Sequence, residues 1–353
     1  MQSVSRCGCS ILPPDLLRRI ARNGSSRQRD DALATLGLDH TLRLTRATYD
    51  LLDPRTGAGL FGIAGAGKER SIYDAHGTET LPGRMVRAEG AAAVADVEVD
   101  EAYDGLGATY DFYADVYDRR SIDDAGMHLD ATVHYGRRYD NAFWNGRQMV
   151  FGDGDGDLFN RFTISLDVIA HELTHGVTGD EAKLVYLGQA GALNESISDV
   201  FGSLVKQYAR RQTADAADWL IGEGLFTSKV HGVALRSMKA PGTAYDDPVL
   251  GRDPQPATMD GFVHTSADDG GVHTNSGIPN HAFYLLAVAL GGHAWEKAGR
   301  IWYETLRDRR LKSTATFRQF ARLTAQNASH LFGKTEHAAV VSAWAEVGVK
   351  ANG

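Results

Sequence analysis

Residues 171–175 read His171-Glu172-Leu173-Thr174-His175. On a helix, positions four apart stand one turn apart on one face. Two imidazoles so placed can take adjacent corners of a zinc tetrahedron, and Glu172 then lies near enough to act on a water at the metal. Chance alone would place such a pentapeptide in roughly 2% of chains of this composition, so a further ligand has to be found. The segment Gly191-Ala192-Leu193-Asn194-Glu195-Ser196-Ile197-Ser198-Asp199 offers candidates. Glu195 and Asp199 are four apart and share a helix face, with Asn194 beside them. One carboxylate can bind metal while the other holds a ligand imidazole in its tautomer. The apolar neighbours Leu193, Ile197, Val200 and Phe201 argue against a solvated acidic face, because a buried carboxylate needs a partner.

The elements that must position these residues divide the chain in two. From about 67 to 160 the signals are short and strand-like, at 70–74, 85–87 and 132–135, with helical spacing from Val99 to Val116. After 165, helical periodicity covers 165–179, 189–210, 279–290, 294–309, 315–331 and 335–347. A β-rich half followed by an α-rich half predicts an α+β architecture. The 353 residues carry 43% hydrophobic and 23% charged side chains, ordinary globular values. No apolar run reaches the roughly 18 residues of a membrane span. With a net charge of −8 and no large basic block, neither nucleic acid nor membrane is expected as a partner. The cysteines, Cys7 and Cys9, stand near the N-terminus, so residues 10–353 form no disulfide. The N-terminus lacks the uninterrupted apolar segment of a secretory signal, and the expectation from that alone is a cytoplasmic protein or one exported by an unconventional route.

Residues 1–45 hold seven Arg and four Asp, net +3, and the rest of the chain is net −11. A basic leader on an acidic body is expected to dock. Helical signals come after Pro13-Pro14, and a second helix is expected from Ser25-Ser26 to Leu36, stopped at Gly37, with a linker over 46–66. Asp153-Gly154-Asp155-Gly156-Asp157 starts like an EF-hand loop but has Leu158 and Ile164 where that loop needs Gly and Glu; a tight Gly-rich turn fits better.

Read together, Asn141-Ala142-Phe143-Trp144-Asn145-Gly146, His171 to His175, Gly191 to Asp199, and Gly270-Gly271-Val272-His273-Thr274-Asn275-Ser276-Gly277 stand in one order. Over about residues 68–350 the chain resembles the thermolysin-type zinc metalloendopeptidases (M4 family). Its leader, with Pro13-Pro14-Asp15-Leu16, resembles the short propeptide of the protealysin-like branch. The resemblance implies a two-lobed zincin: a leader over 1–45, the 46–66 linker, a β-rich lobe over 67–180 ending in the zinc helix, and a helical lobe over 181–353. It implies one catalytic Zn2+ bound by His171, His175 and Glu195. Glu172 would be the general base that takes a proton from the attacking water and gives it to the leaving amine. Tyr186 and His273 would hydrogen-bond the oxyanion, with Asp268 orienting His273. Asp199 would support His171, and Asn194 would support His175. Asn141 and the Ala142 backbone would align the substrate strand. Arg236 would hold a substrate carbonyl beside a pocket preferring a large apolar residue after the scissile bond.

Family members also carry a calcium double site, whose positions here are Asp167, Lys206, Asp218, Leu220 and Glu223. A lysine cannot ligate calcium, so the double site is expected to be absent. The Lys206 ammonium is expected in the cation's place, against Asp167 and one of Asp218 or Glu223. The function implied is a zinc endopeptidase acting on peptides or proteins and made as a self-processing zymogen, its own propeptide serving as intramolecular inhibitor. Pro13-Pro14 would resist cleavage, Cys7 or Cys9 could reach the zinc as thiolate, and the cut is expected between about Gly37 and Arg46. The alternative is a non-catalytic zinc protein that binds peptides in the same cleft. Glu172, Tyr186 and His273 count against it, because binding alone needs none of them.

Overall fold

The structure, a computed structural model, describes residues 10–52 and 67–351. Pro14 opens helix α1 (Pro14–Asn23), at the first helical position where its missing N–H costs nothing. Its apolar stripe buries Leu16, Leu17 and Ile20. Helix α2 (Ser26–Leu52) comes next. The expected stop at Gly37 does not occur, and the helix crosses the expected leader–linker boundary. Asp31, Ala32, Thr35 and Asp39 form one buried stripe, while a side chain at Gly37 would meet nothing. Tertiary anchoring outweighs the roughly 1 kcal/mol that a helical Gly costs. The expected cleavage region, Gly37 to Arg46, therefore lies inside a helix.

The first lobe is built on a five-stranded sheet in the order β2-β1-β3-β5-β4. Its strands are β1 (Arg70–Asp74), β2 (Arg84–Ala88), β3 (Leu129–Val133), β4 (Ala142–Trp144) and β5 (Gln148–Phe151). β1, β3 and β5 run parallel, while β2 and β4 are antiparallel edges. β3 ends earlier than the sequence suggests, because His134 turns to φ 54°. Helix α3 (Val97–Tyr117) packs on the sheet, its N-terminal N–H groups capped by Asp96. In the Gly-rich turn, Asp155 Oδ1 accepts the N–H groups of Asp157, Leu158 and Phe159.

Helix α4 (Leu166–Glu181) runs between the lobes. Helix α5 (Gly188–Arg210) packs along it. Gly202 permits that approach: a Cβ there would lie 2.5 Å from the Asp167 carbonyl oxygen. Short strands β6 (Leu220–Ile221) and β7 (Arg236–Ser237) pair beside α5. The helical lobe continues with α6 (Asp268–Asn275), α7 (Gly277–Leu290), α8 (Ala298–Leu306), α9 (Phe317–Leu331) and α10 (Lys334–Glu346). Its core stacks Trp302 on Trp344 beside Phe320 and Phe283. Among the described residues no helix is long and apolar enough to cross a membrane.

The N-terminal segment docks across both lobes. Ile11, Leu12, Leu16, Leu17 and Ile20 are at most 3% exposed, each worth up to about 1.5–3 kcal/mol of burial. Docking is as expected, but among the described residues no leader arginine pairs with an acid of the body. Arg19 and Arg27 donate to the carbonyls of Arg252 and Asp155, and the ion pair seen across the junction joins a leader acid, Asp31, to Arg138.

Candidate active site

Helix α4 is buried on nearly all sides from Asp167 to His175, so its polar groups must find partners within the protein. Helix α5 supplies them. His171 Nδ1 donates to Asp199 Oδ1 at 2.8 Å, and His175 Nδ1 donates to Asn194 Oδ1 at 2.8 Å. These acceptors place the protons on Nδ1 and leave both Nε2 lone pairs turned inward. The two Nε2 atoms lie 3.0 Å apart, and each is 3.5 Å from a Glu195 carboxylate oxygen. Two lone pairs and a carboxylate facing one another repel unless a cation stands among them. Donors about 2.0 Å from one zinc ion adopt this spacing, and two imidazoles with one carboxylate are a zinc-type donor set. The residues therefore fit the ion.

With no metal ion bound, burial depresses the His171 imidazole, but Asp199 and Glu195 outweigh it and lift it to about 9, so binding zinc has to displace the Nε2 proton. Burial also raises the Glu195 carboxyl, and His273, His175 and His171 overcome that and hold it well below the ordinary range. Asp199 accepts from His171, from Arg236 Nε and Nη2 at 2.9 and 2.8 Å, and from Asn280 Nδ2 at 2.8 Å. Burial opposes its ionisation, but Arg236 and His171 hold it down at about 2.

Glu172 is fully buried. Its Oε2 accepts the Trp144 backbone N–H at 3.0 Å, and its Oε1 has no hydrogen-bond partner. Burial pushes its carboxyl up to about 8, with His171 pulling it down and Glu195 raising it. A bound zinc ion would oppose that rise and favour the carboxylate, the form that can take a proton from water. Opposite stand Tyr186 and His273, with Tyr186 Oη 3.2 Å from His273 Nε2 and donating to Glu195 Oε1. Asp268 fixes His273 twice, accepting its backbone N–H at 2.9 Å and its Nδ1–H at 2.6 Å. That tight turn needs Gly270 at φ 88°, with the Gly188 backbone only 3.1 Å from where a Cβ would stand.

The outer edge of β4 is occupied by the chain's own residues 10–12. Ser10 bridges Phe143 in antiparallel fashion. Ile11 N–H donates to the Ala142 carbonyl at 3.1 Å, and Leu12 N–H donates to Asn141 Oδ1 at 3.0 Å. Arg236 Nη1 donates to the Ile11 carbonyl at 3.2 Å, and His273 Nε2 lies 3.3 Å from the Ser10 carbonyl.

Two family models cover most of the chain: the thermolysin metallopeptidase catalytic domain over residues 33–179 and its alpha-helical domain over 182–349. The chain belongs to the thermolysin metallopeptidase family. It is 54% identical over 346 residues to an extracellular metalloprotease of Pectobacterium carotovorum subsp. carotovorum, with 98% of each chain covered. It is 51% identical to Protease PrtS of Photorhabdus sp. (strain Az29), over 96% of this chain and 92% of that one. The precursor of protealysin, a metalloproteinase from Serratia proteamaculans, superposes with a TM-score of 0.89 at 55% identity, covering 97% of this chain and 99% of that one. The chain is thus a thermolysin-like zinc metalloendopeptidase of the protealysin branch.

Relatives of this chain overturn the cytoplasmic expectation, because two are named as extracellular metalloproteases, that of Pectobacterium carotovorum subsp. carotovorum and one of Serratia marcescens. The expectation rested on one missing signal, an apolar export segment, and nothing else in the composition spoke to location. The predicted site residues His171, Glu172, His175, Tyr186, Asn194, Glu195, Asp199, Arg236, Asp268 and His273 converge on one cleft, with Asn141 and Ala142 along its edge. Pro13 caps α1, Pro14 is buried within it, and Cys7 and Cys9 lie outside the described residues. Sequence reasoning missed four partners: the Trp144 N–H on Glu172, Ser198 Oγ at 3.0 Å from His175 Nδ1, Asn280 on Asp199, and Gln255, which donates to the His273 carbonyl at 2.8 Å. Asn280 left a readable signal, a lone amide among Ile278, Ala282 and Phe283 on an apolar helix. Gln255 left none.

Proposed function

We propose that this endopeptidase is held latent by its own N-terminal segment, and that the cleft cuts extended peptides before a large apolar residue. The observation that carries the reading is the hydrogen-bonded strand of residues 10–12 along β4, with the Ser10 carbonyl beside His273, whose Nε2 lies 3.6 Å from Glu195. Ile11, the next residue, is fully buried, and Arg236 grips its carbonyl. This favours an apolar side chain at that position of a substrate.

The residues divide the work. Asn141 and the Ala142 carbonyl align the strand. Arg236 holds the carbonyl after the scissile bond while also anchoring Asp199. When bound, zinc held by His171, His175 and Glu195 supplies Lewis acidity, lowering the pKa of water and polarising the carbonyl. Glu172 Oε1 accepts the water's proton and passes it to the leaving amine. Tyr186 and His273 donate to the developing oxyanion, and Asp268 keeps His273 protonated and aimed.

A non-catalytic peptide binder would not need the unpartnered Glu172 Oε1 or a paired oxyanion site. The test is digestion of an unfolded protein after the N-terminal segment has been removed, with wild type beside Glu172→Gln. The expected loss is about 10²–10⁴-fold with zinc retained. Equal digestion by both forms would refute the assignment. The names of the relatives favour action outside the cell.

A further inference from the structure

Four contacts set the register of the N-terminal strand, and together they point at one bond. The Ser10 carbonyl faces the oxyanion donor His273 at 3.3 Å. Immediately after it, Ile11 N–H is bound to the Ala142 carbonyl, the Ile11 carbonyl to Arg236 and Leu12 N–H to Asn141. The strand runs antiparallel to β4, so residues 11 and 12 fill the side of the cleft that would hold a leaving amine. The segment is therefore seated as a substrate would be, not reversed across the cleft.

On the C-terminal side of that bond, residues 11–39 carry an extended anchorage. Ile11, Leu12, Leu16, Leu17 and Ile20 are buried. Asn23 donates to the Val249 carbonyl at 3.2 Å, Gln28 to Asp157 at 2.8 Å, and the Asp140 N–H to Thr35 at 3.1 Å. Asp39 accepts from both Tyr139 and Asn141. Asn141, the residue that aligns the strand, is thus itself held by α2.

We infer that Ser10–Ile11 is a built-in scissile bond whose hydrolysis leaves the blocking segment in place. The inference rests on the endopeptidase reading above. In the cut, the water's hydroxyl adds to the Ser10 carbonyl carbon and the C–N bond breaks. One of the water's protons, carried by Glu172, ends on the Ile11 nitrogen, and the other passes from the new Ser10 carboxylic acid to the same nitrogen, leaving a Ser10 carboxylate and an Ile11 ammonium. That ammonium cannot diffuse away, because residues 11–39 stay docked and covalently joined to the catalytic lobes. It remains at high effective concentration beside the new carboxylate, so the nicked form stays blocked on the leaving-group side. Opening the cleft takes a second cut, C-terminal to the docked helices.

The test uses the full chain. The precursor is incubated at several concentrations and monitored by intact mass, N-terminal sequencing and hydrolysis of an added unfolded protein. The expected first change is loss of residues 1–10, giving an Ile11 N-terminus at a rate independent of protein concentration. Hydrolysis of the added substrate stays below about a tenth of that of the segment-free enzyme. The Glu172→Gln precursor gains no Ile11 terminus, even with segment-free wild type added, because the bond lies in its own cleft. A Ser10–Ile11 bond that stays intact under conditions where the segment-free enzyme digests the substrate would overturn the inference. So would an Ile11-terminated form with full activity. A segment-free enzyme that digests nothing in the presence of zinc would instead count against the endopeptidase reading itself.

Discussion

Two buried sets of carboxylates share the helix pair α4 and α5, and they are neutralised in different ways. At one end, Glu195 and the two Nε2 atoms of His171 and His175 converge, and among the described residues no lysine or arginine pairs with Glu195; its partners are imidazoles, with His273 Nε2 3.6 Å away. One turn before His171, Asp167 is equally buried, yet it meets a cation the chain supplies. Lys206 Nζ lies 2.8 Å from Asp167, 2.8 Å from Asp218 and 2.7 Å from the Leu220 carbonyl. The ammonium donates hydrogen bonds to Asp218 and the Leu220 carbonyl and pairs by charge with Asp167. Of the two candidate partners, Asp218 is the one engaged, while Glu223 pairs with Arg210. The lesson is that a carboxylate taken out of water obliges a cation, and the choice of cation separates chemistry from scaffold. An exchangeable metal leaves a coordination position for substrate, whereas a tethered ammonium leaves nothing open.

The sharpest way to break this contrast is to remove each cation in turn. Chelation of zinc from the segment-free enzyme should lower peptide hydrolysis by at least about 10³-fold, with recovery on adding zinc back. Activity that survives metal removal would end the comparison at its first half. Loss of the tethered cation should act on stability instead. Lys206→Met leaves Asp167 buried and uncompensated, at a cost of about 3–5 kcal/mol, seen as a lower midpoint in denaturant. Calcium titration of the wild type should leave its melting temperature nearly unchanged, while Lys206→Glu should become calcium-dependent. A large calcium-induced rise in the wild type would show that Lys206 does not fill the role assigned to it.

The contrast also marks where the sequence was legible. The zinc cluster could be read because its geometry is local: spacing four on α4 and spacing four on α5 bring the groups to facing surfaces. Lys206 could be read because a residue type incompatible with calcium stands where an acid would be needed. The long-range partners were less accessible. The strand of residues 10–12 along β4 depends on how far apart in sequence two surfaces meet, which no periodicity reports. Helix α2 was misjudged at Gly37 because its continuation is decided by Asp31, Thr35 and Asp39 binding the 138–141 segment. Local propensity sees the glycine and not the anchorage.

A third arrangement of acids around a cation, half-exposed on the first lobe, sharpens the comparison with the smallest effect. His134 stands between Asp153, 2.9 Å from Nδ1, and Asp96, 3.1 Å from Nε2. Here the cation is a proton. The hydrogen bond to Asp153 is the main cause that lifts this imidazole to about 9; burial pulls it down, and Asp96 adds to the rise. Because the folded-state value lies above the ordinary 6.5, its contribution is fully present below about pH 6.5 and is lost as pH rises through about 9. The site is partly exposed and therefore screened. The melting temperature of wild type minus that of His134→Gln should accordingly fall by only about 2 °C between pH 6.5 and 10. Using the difference cancels groups that titrate in both proteins. A difference that stays flat, or grows with pH, would mean that Asp96 and Asp153 are satisfied by their own backbone contacts and need no cation at all.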